Sequence, residues 1–208
     1  MRFGWLWVAL AVLVGGCGST GSIEAMRAAH GLSAPVKGQL AVCHGHGCAE
    51  VSHLALSLAD WRRVTRPLAR PAATPRGERR QIALALQATE RLVGARLGLD
   101  GDRPRSPLPA RAGQLDCIDE TVNVATYLAL FDGAGLLRHY RPGRRVTSGY
   151  LGRHLFAHTA STIVARESGA EYAVEAWDAP HGALPYIMPL ADWRSGAPAR
   201  HDFPDRAG

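Results

Sequence analysis

Gln114-Leu115-Asp116-Cys117-Ile118-Asp119-Glu120 is the stretch on which the reading of this chain turns. Asp116 suits a helix N-cap, because its carboxylate can accept from the backbone N–H groups that a helix start leaves without partners. Asp119, three residues on, completes a capping box. Cys117 then occupies the first helical position. Ile118, Val122, Ala125 and Ala129 recur at spacings of three and four, which predicts a helix from Cys117 to about Leu130, stopped by Gly133 and Gly135. A sulfur at that position meets unpaired N–H groups and the positive end of the helix dipole, both of which favour a thiolate. The two capping carboxylates oppose this. Chemistry at Cys117 therefore requires a base brought from elsewhere in the fold.

Downstream of that helix the period becomes strand-like. His158 to Ala165 and Glu171 to Trp177 are apolar or β-branched runs separated by Ser168-Gly169, a hairpin signal. His158 opens the first run and is the candidate base, with His154 an alternative. The second run ends in Val174-Glu175-Ala176-Trp177-Asp178, which offers two carboxylates to orient the imidazole. A two-residue turn at Ser168-Gly169 puts Glu175 on the His158 face but ~13 Å away along the strand. A three-residue loop instead leaves Asp178 one diagonal, ~7 Å, from His158. Both acids stay open on these grounds. Gln114, just before the nucleophile, and the Cys117 backbone N–H are candidate oxyanion donors. Upstream, Glu78 to Leu97 reads as a helix with Ile82, Leu86, Leu92 and Val93 inward and Glu78, Arg79, Arg80 and Glu90 solvated; Gly98 ends it. Gln39 to Val42 reads as a short strand. Helices first and strands after predict one α+β domain over 35–208, with the nucleophile helix packed on a small antiparallel sheet.

The order Cys117, His158, then an acid at 175 or 178 is that of nucleophile, base and orienter. With Asp116-Cys117-Ile118-Asp119-Glu120 and Val174-Glu175-Ala176-Trp177, it resembles the transglutaminase-like and papain-like cysteine enzymes over residues 114–193. The resemblance implies that fold and a hydrolase or acyltransferase working through a thioester on Cys117. It places an acid at Glu175, where the family pattern has Asp. No cofactor is implied, and envelope peptides, peptidoglycan crosslinks and partner proteins fit equally well as substrates. A scaffold that keeps the fold without the chemistry, serving as a binding or structural protein, is the competing reading.

At the other end, Arg2 precedes an apolar run from Phe3 to Val14 of about 12 residues, short of the roughly 20 needed to span a bilayer. Val14-Gly15-Gly16-Cys17 follows and resembles a bacterial lipobox. Residues 1–16 are thus expected to be a lipoprotein signal peptide, Cys17 the acylated residue, and 17–34 a flexible tether. The lipid would be the contact with the membrane. Gly18 after the cysteine favours the periplasmic face of the outer membrane. The chain has 208 residues and four cysteines, and all but one of its 24 basic residues are arginine, Lys37 being the exception. These arginines are scattered pairs rather than an aromatic-interleaved stripe, which argues against nucleic acid as partner. Setting Cys17 aside leaves Cys43, Cys48 and Cys117. A bridge between Cys43 and Cys48 leaves Cys117 unpaired in an oxidising compartment. Cys43-His44-Gly45-His46-Gly47-Cys48 also carries four borderline metal ligands, so metal binding by this loop is the alternative to a disulfide.

Overall fold

A computed structural model describes residues 23–106, 113–148 and 157–203. The expected signal peptide, the acylated Cys17 and His154 lie outside these residues. Among those described, five α-helices accompany two antiparallel sheets, of two and four strands.

The helices are α1 (Ile23–Ala29), α2 (Leu58–Thr65), α3 (Pro75–Leu97), α4 (Cys117–Gly133) and α5 (Leu190–Arg194). None is long and apolar enough to cross a membrane. Strands β1 (Gln39–His44) and β2 (Glu50–Ala55) form one hairpin. The larger sheet runs in the order β3 (Tyr140–Ser148), β4 (His158–Ala165), β5 (Glu171–Glu175), β6 (Tyr186–Pro189).

Local chemistry explains the boundaries. Thr74 caps α3 by accepting from the Gly77 N–H, Pro75 starts the helix without an N–H to leave unpaired, and Gly98 ends it at φ +72°. Ser57 and Asp60 form a capping box that starts α2. Asp116 and Asp119 do the same for α4. From Asp119 to Leu128 every residue of α4 is buried, and a helix buried all round must lie inside the molecule. It packs on β4 on one side and on β1 and α3 elsewhere. Leu40, Val42, Ile82, Leu86, Tyr127, Leu128, Phe131, Ile163, Val174 and Ile187 make the shared core. Each such aliphatic or aromatic side chain contributes about 1.5–3 kcal/mol by leaving water. A second cluster, with Ala160, Ala173, Met188, Leu190 and Trp193, covers the other face of the sheet under α5. This explains why all of β4 is buried.

Two expectations need correction. The stretch 17–34 is not a tether throughout, since α1 falls inside it and Met26 and Leu32 are buried against Cys43 and Val122. Nor are Glu78, Arg79 and Glu90 solvated: they are 1%, 5% and 4% exposed. Glu78 accepts from the backbone N–H groups of Arg138 and His139, and Arg79 donates to the Tyr140 hydroxyl and to Asp202. Amphipathic periodicity fails here because α3 has protein on more than one side.

Candidate functional site

Hydroxyl groups dock the start of α4 on β4. Thr121 and Thr159 both donate to the Cys117 carbonyl oxygen, at 2.6 and 3.1 Å, and Ser161 donates to that of Thr121 at 2.9 Å. The first turn of α4 is thereby held beside the first residues of β4. His158 and the half-buried Cys117 come within hydrogen-bonding reach of one another.

Which carboxylate meets His158 follows from the β4–β5 connection. Five residues, 166–170, separate the strands, with Val164 opposite Glu171 and Ser161 opposite Val174. Both shorter loops considered from sequence are therefore wrong. The longer loop slides β5 along β4, so that Glu175 comes level with Ala160 and one diagonal from His158 on the same face. The His158 Nε2–H donates to Glu175 Oε2 at 2.5 Å. Glu175 is itself 1% exposed and accepts from Trp193 Nε1 at 2.8 Å and from the Asp178 N–H at 3.3 Å. Asp178 is turned away from the imidazole, and its carboxylate takes a two-pronged contact from Arg105 at 2.8 and 3.2 Å. Its role is to fasten the 102–106 segment, whose Arg105 N–H also donates to the Trp177 carbonyl oxygen.

The His158 ring stacks on Trp177, with centroids 4.8 Å apart, and lies 5.6 Å from Trp193. Burial pulls its pKa down. Hydrogen bonds to Cys117 and Glu175, with the charges behind them, outweigh burial and push it up to about 9. Since Nε2 serves Glu175, Nδ1 is the nitrogen left for the sulfur.

Gln114 does not take the part expected of it. Its Nε2 donates to the Gly101 carbonyl oxygen at 2.9 Å and its Oε1 accepts from the Arg103 N–H at 3.2 Å. The side chain is 5% exposed and clamps the preceding loop rather than facing an oxyanion. Of the two proposed donors, the Cys117 N–H at the helix start is the one compatible with this arrangement.

Cys43 and Cys48 are joined by a disulfide, which removes both sulfurs from metal coordination. The bridged loop rests on the capping carboxylates of α4. Gly47 N–H donates to Asp116 Oδ2 at 2.9 Å, and those of His46 and Cys48 donate to Asp119 at 2.9 and 2.7 Å. Burial, followed by the neighbouring Asp116, raises the Asp119 pKa to about 6.

Sequence reasoning missed Trp193, which lies in a tail with no periodic signal. It also missed a group in the core behind the site. Glu90, Glu120 and His181 place one ligand atom each within 4.8 Å of one another. A cavity of about 510 Å³ between α2 and α3 contains none of Cys117, His158 and Glu175. Comparison with family models, with characterised proteins and with solved structures finds no match to this chain.

Proposed function

We propose that the chain is a cysteine hydrolase or acyltransferase of transglutaminase-like or papain-like type, exported and held to the cell envelope by a lipid on Cys17. The observation that carries the reading is the buried hydrogen bond between His158 and Glu175, with Cys117 at the start of α4 interacting electrostatically with the same ring.

In this mechanism His158 Nδ1 takes the thiol proton, and the sulfur attacks an amide or thioester carbonyl carbon. The Cys117 N–H, at the positive end of α4, faces the developing oxyanion. The imidazolium returns its proton to the leaving amine or thiol as the tetrahedral intermediate collapses to a thioester on Cys117. Water or an amine, deprotonated by the same nitrogen, then releases the acyl group and restores the thiol. Glu175 keeps Nε2 protonated throughout and stabilises the imidazolium, while Trp193 and the Asp178 N–H keep that carboxylate in place. The site's position at a helix start and its hydrogen-bonded acid support this reading over that of a scaffold without chemistry.

The decisive measurement is the pH dependence of alkylation at Cys117 by iodoacetamide, read by peptide mass spectrometry on the full chain in detergent. Reaction that persists into mildly acidic pH in the wild type, and is lost there in His158→Ala, supports the pair. Equal reactivity in both proteins sinks the enzyme reading and leaves a binding or structural protein.

A further inference from the structure

Behind the Cys117 site, three elements each contribute one charged side chain to the core. Glu90 comes from α3, Glu120 from α4 and His181 from the chain between β5 and β6. The side chains of all three are at least nine-tenths buried: His181 1%, Glu90 6% and Glu120 5% exposed. His181 Nδ1 lies 3.0 Å from Glu90 Oε2 and 3.9 Å from Glu120 Oε1.

The other nitrogen of that ring decides what Nδ1 can offer. Nε2 is 2.9 Å from the Glu90 carbonyl oxygen, an acceptor only, so Nε2 carries a proton. In the neutral ring Nδ1 is then a lone pair aimed between the two carboxylates. An N–H given to a backbone carbonyl is the outer contact that orients a metal-bound imidazole.

The carboxylates are short of partners. Neither oxygen of Glu90, nor Oε2 of Glu120, meets a donor in hydrogen-bonding geometry, although His181 Nδ1 and the fully buried Tyr127 hydroxyl face the group. Two carboxylates against one imidazole leave an excess of negative charge in a dry core, a costly arrangement unless something positive is shared among them. Glu90, Glu120 and His181 also line a cavity of about 10 Å³, roughly what one small occupant needs.

From these observations we propose that Glu90, Glu120 and His181 form a binding site for one divalent transition-metal ion of the zinc class. Ligands ~2.0–2.2 Å from a tetrahedral zinc are about 3.3 Å from each other, and the observed separations of 3.0 and 3.9 Å straddle that value. An imidazole nitrogen with two carboxylates suits zinc, iron or cobalt better than calcium or magnesium, which take oxygen. Two glutamates balance the dication. The Tyr127 hydroxyl, which faces the group, or a water completes the coordination. Its role is to tie the chain after β5 to α3 and α4. That chain also carries Trp177, which stacks on His158. The site is independent of any chemistry at Cys117.

The test uses the full chain in detergent, stripped with a chelator and titrated with Zn²⁺ against a chromogenic competitor. The expected result is a single equivalent bound. Affinity should fall by more than about 100-fold in Glu90→Gln and in His181→Gln, since losing a ligand exceeds the 10–100-fold cost of losing an outer partner. His44→Ala, at the surface hairpin, should bind as the wild type does. Because the ligand variants could misfold, two measurements rest on the wild type alone. Zinc at a hundredfold excess over Kd should raise its Tm by about 5–10 °C. Zinc K-edge absorption should show nitrogen and oxygen neighbours at ~2.0–2.2 Å and no sulfur. Binding well below one equivalent, unchanged affinity in both ligand variants, no shift in Tm, or a sulfur neighbour would each overturn the site.

Discussion

Two buried histidines in this molecule face carboxylates, and the pKa of each is raised to about 9 although burial alone would lower it. What surrounds them differs. His158 lies between one sulfur and one carboxylate, and that carboxylate has two further donors, Trp193 and the Asp178 N–H. His181 faces two carboxylates whose oxygens are largely without donors. In the first arrangement the carboxylate has a full set of donors. The second holds more negative charge than its surroundings satisfy. The difference teaches that a raised histidine pKa can arise in two kinds of surroundings, which the supply of donors to the carboxylate tells apart.

The comparison can be broken most directly at His158. His158→Ala should slow Cys117 alkylation at pH 6 by ~10³, within the range for losing a general base. Glu175→Gln keeps the shape but no longer holds the imidazolium, and should cost ~10² in the same assay. Asp178→Asn should leave that rate nearly unchanged, because Arg105 rather than His158 is its partner.

The second centre is sharpened from its packing. A Cβ at Gly94 would meet Asp100 Oδ1 most closely and His181 Nε2 at 2.8 Å, so Gly94→Ala must displace both side chains. Chemical denaturation should show a loss of about 2–3 kcal/mol, the range for overpacking a filled core. Where the loop 44–48 rests on α4, Asp116→Ala removes the N-cap and one support of the bridged loop, costing about 1–2 kcal/mol.

A pH-dependent effect follows from linkage. The folded-state pKa of His158 lies above its unfolded value near 6.5. The stability it contributes is therefore fully present below pH 6.5 and is lost as pH rises towards about 9. Denaturation of the wild type and of His158→Gln should thus give a stability difference that shrinks steadily across that window.

Residues 114–133 show how much of this was legible beforehand. Capping by Asp116 and Asp119 and the start of α4 at Cys117 depend on contacts two or three residues apart, so a local pattern suffices to find them. The same holds for the strands from His158 and Glu171, which an alternating or wholly apolar run betrays. The acid was not legible from strand pairing, although the resemblance pointed to Glu175. It depends on a loop of five residues rather than two or three, and each residue of slip changes which side chain meets His158.

Sequence by itself determined the α+β class, the helix that begins at Cys117, and the His158 strand with two acids near the end of its partner. Only the tertiary structure decided that Glu175 meets His158 while Asp178 holds Arg105, that Gln114 clamps a loop, and that Glu90 is buried beside Glu120 and His181. The physical reason is range. Capping and periodicity act within a turn or two of chain, whereas burial and pairing depend on which distant segments arrive, and Glu90 and His181 stand 91 residues apart.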